Sequence, residues 1–160
     1  MMAGRREFEM SGRRIIVGVD GSKASSAALQ WALDEARDRG SDTQVHLVHV
    51  TPLEYVSALT GEAIAPRDDP AAEERGRRLL EDLARRVAAD GFGDVPVTTQ
   101  QLTGQIAQSL LGASQDADML VLGSRGHGGF TGLVLGSVTL ACVGYARCPV
   151  IVVPFPSRSE

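Results

Sequence analysis

Residues 123–137 read Gly123-Ser-Arg-Gly-His-Gly-Gly-Phe-Thr-Gly-Leu-Val-Leu-Gly-Ser137, and they continue directly from the apolar run Met119-Leu-Val-Leu-Gly123. Six of the chain's 18 glycines fall in these fifteen positions. Glycine lacks a Cβ and tolerates φ > 0, so successive N–H groups can turn inward together and a ligand can approach the backbone. Such groups make an anion nest. Gly136-Ser137 opens a short helix predicted over Ser137–Tyr145, whose unpaired N–H groups and dipole favour phosphate. A flexible linker would not be bracketed so tightly by strand and helix.

Working outward, short apolar runs alternate with amphipathic stretches. Arg14–Val19 reads as a buried strand ending at Asp20-Gly21-Ser22. Leu29, Ala32, Leu33 and Ala36 then mark one helix face, with Gly40 as its stop. Ser22, Ser25 and Ser26 read as N-caps. Val45–Val50 is a second strand, and residues 51–69 read as a long loop. A helix follows Pro70, its mixed charges forming a solvated face. Val95–Leu102, with Pro96, suits an edge strand. Ile106, Ser109, Leu110 and Ala113 mark a third helix, and Met119–Gly123 and Val150–Val153 are further strands. Strands alternating with helices predict an α/β domain: a five-stranded parallel sheet with helices on both faces. Ligands of such sheets sit beyond the strand C-termini, where the winding reverses.

Composition narrows the function. The chain of 160 residues has 43% apolar and 22% charged residues, an ordinary globular balance for one domain. Its net charge of −4 argues against nucleic acid. No apolar run nears the ~20 residues of a membrane span, and the polar start lacks a signal-peptide core. Cys142 and Cys148 make neither a disulfide framework nor a zinc site and read as small buried residues. A soluble, cytoplasmic protein is expected, with residues 1–12 and 155–160 as tails around a domain at 13–154. Lys23 is the only lysine.

Familiar phosphate loops do not fit. A Walker A loop would need Lys between Gly136 and Ser137. A dinucleotide fingerprint would need glycine where Thr131 stands, and it belongs to a first crossover. The G-x-S-x-G elbow of hydrolases does not occur. The stretch does fit G-x-x-G, nine residues, then G-S, on Gly123, Gly126, Gly136 and Ser137. With Asp20 in Val-Gly-Val-Asp-Gly-Ser, His49-Val50 closing the second strand and Cys148-Pro-Val-Ile-Val-Val-Pro154, the chain resembles the ATP-binding branch of the universal stress protein family over residues 13–154.

That resemblance implies a three-layer αβα sandwich of the adenine nucleotide alpha hydrolase-like type, strand order 3-2-1-4-5. It implies that Asp20 meets the ribose, that the Val50 backbone reads the adenine edge and that Gly18 lines the same pocket. Gly123, Ser124, Arg125, Gly126, His127, Gly128 and Gly129 would wrap ribose and phosphates, and Gly136, Ser137 and the Val138 amide would hold the phosphates. Independently of the family, an ionised Asp only accepts, which suits hydroxyl donors, and Arg125 can pair with phosphate in bidentate fashion. His127 has no partner carboxylate nearby in sequence, and His46 and His49 read as near-core residues. No catalytic residue and no metal ligand is assigned.

The expected ligand is therefore ATP, or AMP or cyclic AMP, with Mg²⁺ as a candidate counter-ion. The expected function is a nucleotide-dependent regulator or sensor in the stress response, with at most slow ATP hydrolysis. An ATP-hydrolysing or adenylyl-transferring enzyme, or a cyclic AMP-binding protein of the same fold, is the alternative. The resemblance also implies a homodimer through Val150–Val153 and an unidentified regulatory protein partner. From the glycine reading, a β-branched residue at Gly123 or Gly126 should abolish nucleotide binding and leave the domain folded.

Overall fold

The structure is a computed structural model that describes residues 12–56, 65–126 and 135–155. The expected tails fall largely outside the described residues. The chain runs β1 (Arg13–Gly18), α1 (Lys23–Arg39), β2 (Thr43–Pro52), β3 (Glu54–Val56), β4 (Ala65–Arg67), α2 (Pro70–Val87), β5 (Val97–Gly104), α3 (Ile106–Ala113), β6 (Met119–Gly123), α4 (Ser137–Tyr145) and β7 (Val150–Val153). One parallel sheet has the order β5-β2-β1-β6-β7. Counting its five strands alone, this is the expected 3-2-1-4-5. The chain winds outward from β1 through β2 to β5, then returns to β6 beside β1, so the winding reverses between β1 and β6.

Strand alternation divides the core in two. Ile15, Val17, Val45, Leu47, Met119 and Val121 pack on one face with Ala28, Leu29, Ala32 and Leu33 of α1 and Leu80 and Leu83 of α2. Ile16, Val48, Val50, Leu120 and Leu122 pack on the other with Leu110 of α3 and Cys142 of α4. Both faces of β1 and β6 are thus covered, and their continuous apolar runs follow from that.

Local signals set the helix starts. Ser22 Oγ accepts from the Ser25 N–H at 3.1 Å and caps α1, a bond worth about 1 kcal/mol. The Ser25 and Ser26 hydroxyls instead donate to the Ser22 carbonyl, so Ser22 alone is the cap. Asp69 caps α2, with Pro70 in the first turn. Arg77 and Arg78 pair with Glu74 and Glu81 on the exposed side of α2, the solvated face expected; exposed pairs of this kind contribute little.

Two expectations shift. Residues 51–69 are not simply a loop: β2 continues to Pro52, and β3 and β4 form a small antiparallel pair. A three-residue strand has too few positions to show a period of two. The edge strand begins at Val97, after Pro96, and runs on to Gly104 in register with Pro52.

Candidate ligand-binding site

Strand lengths make the crevice. β1 has six residues and β2 has ten, and their ladder closes at Gly18–Val48. His49, Val50, Thr51 and Pro52 therefore overrun β1 on that side while still paired with β5 on the other. Val48 accepts from the Val19 N–H at 2.9 Å, so its polar backbone groups face β1. By alternation the Val50 N–H and C=O point the same way, past the end of β1. On the far side of the switch point, β6 ends at Gly123 and α4 begins at Ser137. Between these walls lies a cavity of about 420 Å³.

Asp20 stands where β1 gives way to α1. Gly21 has φ 81°, a left-handed conformation open to glycine at no steric cost. The turn it makes returns the Ser22 N–H to Asp20 Oδ1 at 2.9 Å. The carboxylate is thereby held in a fixed direction at the cavity mouth. Across the mouth, a Cβ at Gly126 would lie 2.7 Å from Asp20 Oδ2.

Ser124 closes the base of the glycine-rich segment. Its N–H donates to the Val153 carbonyl at 2.9 Å, and its own carbonyl accepts from the Gly136 N–H at 2.8 Å. Its hydroxyl accepts from the Phe155 N–H at 3.4 Å. Thr139 Oγ1 donates to the Gly123 carbonyl at 2.9 Å. The start of α4 is thus bolted to the ends of β6 and β7. Gly136 caps that helix without a side chain, and no acid occupies its first turn. The first helical bond runs from the Leu140 N–H to the Gly136 carbonyl, which leaves the N–H groups of Ser137, Val138 and Thr139 without intrahelical partners.

Gly123 and Gly126 owe their identity to space rather than to dihedral freedom, whereas a Cβ at Gly136 would meet its nearest neighbours at an ordinary 3.6–3.7 Å. None of Gly123, Gly126 and Gly136 has positive φ. A Cβ at Gly123 would lie 2.6–2.8 Å from the Ala24 backbone and Cβ, a contact with α1. The expectation that substituting Gly123 leaves the fold intact is therefore corrected: this position is a packing point between β6 and α1. At Gly18 a Cβ would meet Leu122 Cδ2 at 2.7 Å.

Of the sequence-predicted residues, Gly18, Asp20, Val50, Gly123, Arg125, Gly126, Gly136, Ser137 and Val138 line the one cavity. Ser124 stands behind its wall, buried. His127, Gly128 and Gly129 lie outside the described residues. Sequence reading passed over the apolar floor of Ile106, Leu110 and Leu122, and also His49 and Pro52. The sequence carried no signal for these two, because the first two apolar runs, 14–19 and 45–50, are equally long; the overrun of β2 past β1 shows only in the folded sheet. His49 also lines an adjoining hollow of about 430 Å³ with Asp69, Arg75 and Gly76 of the α2 end. Among the described residues, no three His, Cys, Asp or Glu side chains gather to hold a metal, and no helix is long and apolar enough to cross a membrane.

A crevice at the winding reversal of a 3-2-1-4-5 parallel sheet, faced by an open helix N-terminus, defines a doubly wound α/β protein of the adenine nucleotide alpha hydrolase-like fold. The model of the universal stress protein family matches residues 12–154, and the chain belongs to that family. A universal stress protein of Mycolicibacterium smegmatis is 37% identical over 142 residues, covering 87% of this chain and 47% of that protein. The chain thus spans about half the length of this curated relative. Among solved structures, a universal stress protein from Lactobacillus plantarum superposes with TM-score 0.70 at 22% identity, over 88% of this chain and 97% of that one. A universal stress protein family protein from Arabidopsis thaliana with AMP bound gives TM-score 0.63 at 23% identity, over 91% and 93%.

Proposed function

We propose that this chain binds an adenine nucleotide, ATP foremost, and acts as a cytoplasmic nucleotide-dependent regulator in the stress response. One observation carries the reading. The Asp20 carboxylate, the outward-facing Val50 backbone and the first-turn N–H groups of α4, which have no intrahelical partners, converge on a single cavity. Their chemistry is divided as a nucleotide requires. An acceptor-only carboxylate suits ribose hydroxyls, a strand edge suits the hydrogen-bonding edge of a base, and a helix N-terminus suits phosphate. Arg125 on the same wall supplies positive charge. Any Mg²⁺ would be carried chiefly by the phosphates. AMP belongs to the Arabidopsis protein, and it sets which ligands to try first.

Binding rather than turnover is the proposed role. Pairing of two chains through the outer edge of β7 would present the regulated surface. Mass analysis of nucleotide released from the purified, denatured protein tests the reading, with calorimetric titration of ATP, AMP and cyclic AMP. Saturable binding of at least one is expected. No binding of any of the three at millimolar concentration would overturn it, and rapid ATP turnover with Mg²⁺ would replace it with the enzyme reading.

A further inference from the structure

Resting on the adenine-nucleotide reading, we infer that His49 is a positioning residue that keeps the Val50 backbone edge open to the ligand. The β1–β2 ladder stops one rung early. The Val19 N–H donates to Val48 O at 2.9 Å, and the next rung of a parallel ladder would join the Val50 N–H to Val19 O. Instead Val19 O accepts from His49 Nδ1 at 2.8 Å. A carbonyl can only accept, so Nδ1 carries the hydrogen. The imidazole occupies the one acceptor that would otherwise close over Val50. It also holds the peptide that leads into Asp20.

The ring is fixed from behind. A Cβ at Gly76 would lie 2.6 Å from His49 Cδ2 and 3.0 Å from Nε2, so α2 lies directly against the imidazole edge. Gln101 Nε2 donates to Thr51 Oγ1 at 3.2 Å and to the Glu73 carbonyl at 2.8 Å, tying α2 to the same end of the sheet. Glycine is a poor helix former, and here it is the residue that lets the helix reach the ring. The purine edge is therefore governed by a side chain on the far face of the sheet.

The test compares wild type, His49→Leu, which removes the donor, and His49→Asn, whose amide N–H sits close to the Nδ1 position. ATP and inorganic tripolyphosphate are titrated into each, and exchange of the Val50 amide is followed by NMR. His49→Leu is expected to weaken ATP about tenfold, the loss of roughly one hydrogen bond, without altering tripolyphosphate. His49→Asn is expected to restore ATP binding. The Val50 amide should exchange rapidly in ligand-free wild type, become protected with ATP, and be protected without ligand in His49→Leu. Equal losses for ATP and tripolyphosphate, or a Val50 amide already protected in ligand-free wild type, would overturn the inference. Wild-type ATP binding that His49→Leu leaves untouched defeats the inference alone. A wild type that takes up no adenine nucleotide defeats the reading beneath it.

Discussion

Gly126 faces the Asp20 carboxylate so closely that a Cβ on it would stand 2.7 Å from Oδ2. The two residues are 106 positions apart (126 − 20) and come from opposite sides of the winding reversal. Their approach narrows the mouth of the cavity, and one atom's breadth decides whether the carboxylate keeps its direction. Gly126→Val is expected to displace Asp20 and weaken ATP binding at least about tenfold. Its melting temperature should stay close to wild type, because the nearest atoms belong to one side chain at a solvent-facing mouth. Calorimetry alongside thermal denaturation checks both halves.

Asp20 itself serves two ends. Oδ1 accepts from the Ser22 N–H at 2.9 Å, so Asp20→Ala loosens the turn as well as removing the charge. Asp20→Asn retains an acceptor there and isolates the second effect. Weaker ATP binding with unchanged affinity for inorganic phosphate is expected of Asp20→Asn; equal losses for both ligands would show that the ribose assignment is wrong.

Gly123 should behave unlike Gly126. Its missing Cβ is filled by the Ala24 backbone at 2.6–2.7 Å, and backbone cannot step aside as a side-chain tip can. Gly123→Val is expected to destabilise the fold by about 1–3 kcal/mol, read as a lower midpoint in urea. A mutant with unchanged stability would show that α1 can shift without cost.

The outer side of α4 carries Leu140 and Val143, 61% and 48% exposed, near Tyr145 at 79%. β7 beside it is an outermost strand of the sheet. Apolar surface next to a strand edge needs cover. Two-chain particles are expected in sedimentation, and the double variant Leu140→Glu/Val143→Glu should sediment as single chains with ATP affinity retained. Monomeric wild type at micromolar concentration would remove the dimer from the proposal.

Burial pushes the Cys142 thiol up to about 11, with nearby Cys148 adding to the shift. The folded protein thus holds this proton more tightly than the unfolded chain. The associated stability is fully present below the ordinary thiol pKa and is lost as pH rises from about 9 through about 11. Urea midpoints that fall across that window in wild type, and fall less in Cys142→Ala, are the expected result. At pH 8, alkylation should reach the part-exposed Cys148 before Cys142.

The strand runs, the helix starts and the glycine pattern are local, and each was legible in the chain. Ile15, Ile16 and Val17 announce a strand covered on both faces because the apolar run is short, rich in β-branched residues and closed by the turn residues Asp20-Gly21-Ser22. Helix α4 was legible too, and its predicted span Ser137–Tyr145 is the observed one. The small β3–β4 pair escaped because its strands are too short to carry a period.

The amino-acid order alone determined the five strands of the main sheet and the helices between them, and that a glycine-rich segment follows the fourth of those strands, since those properties depend on neighbours a few residues away. Only the tertiary structure decided that Gly123 yields to α1 while Gly126 yields to Asp20, and that His49 takes the carbonyl Val50 would have used. Those outcomes depend on distances between segments far apart in the chain, and a packed interior sets such distances to within a fraction of an ångström.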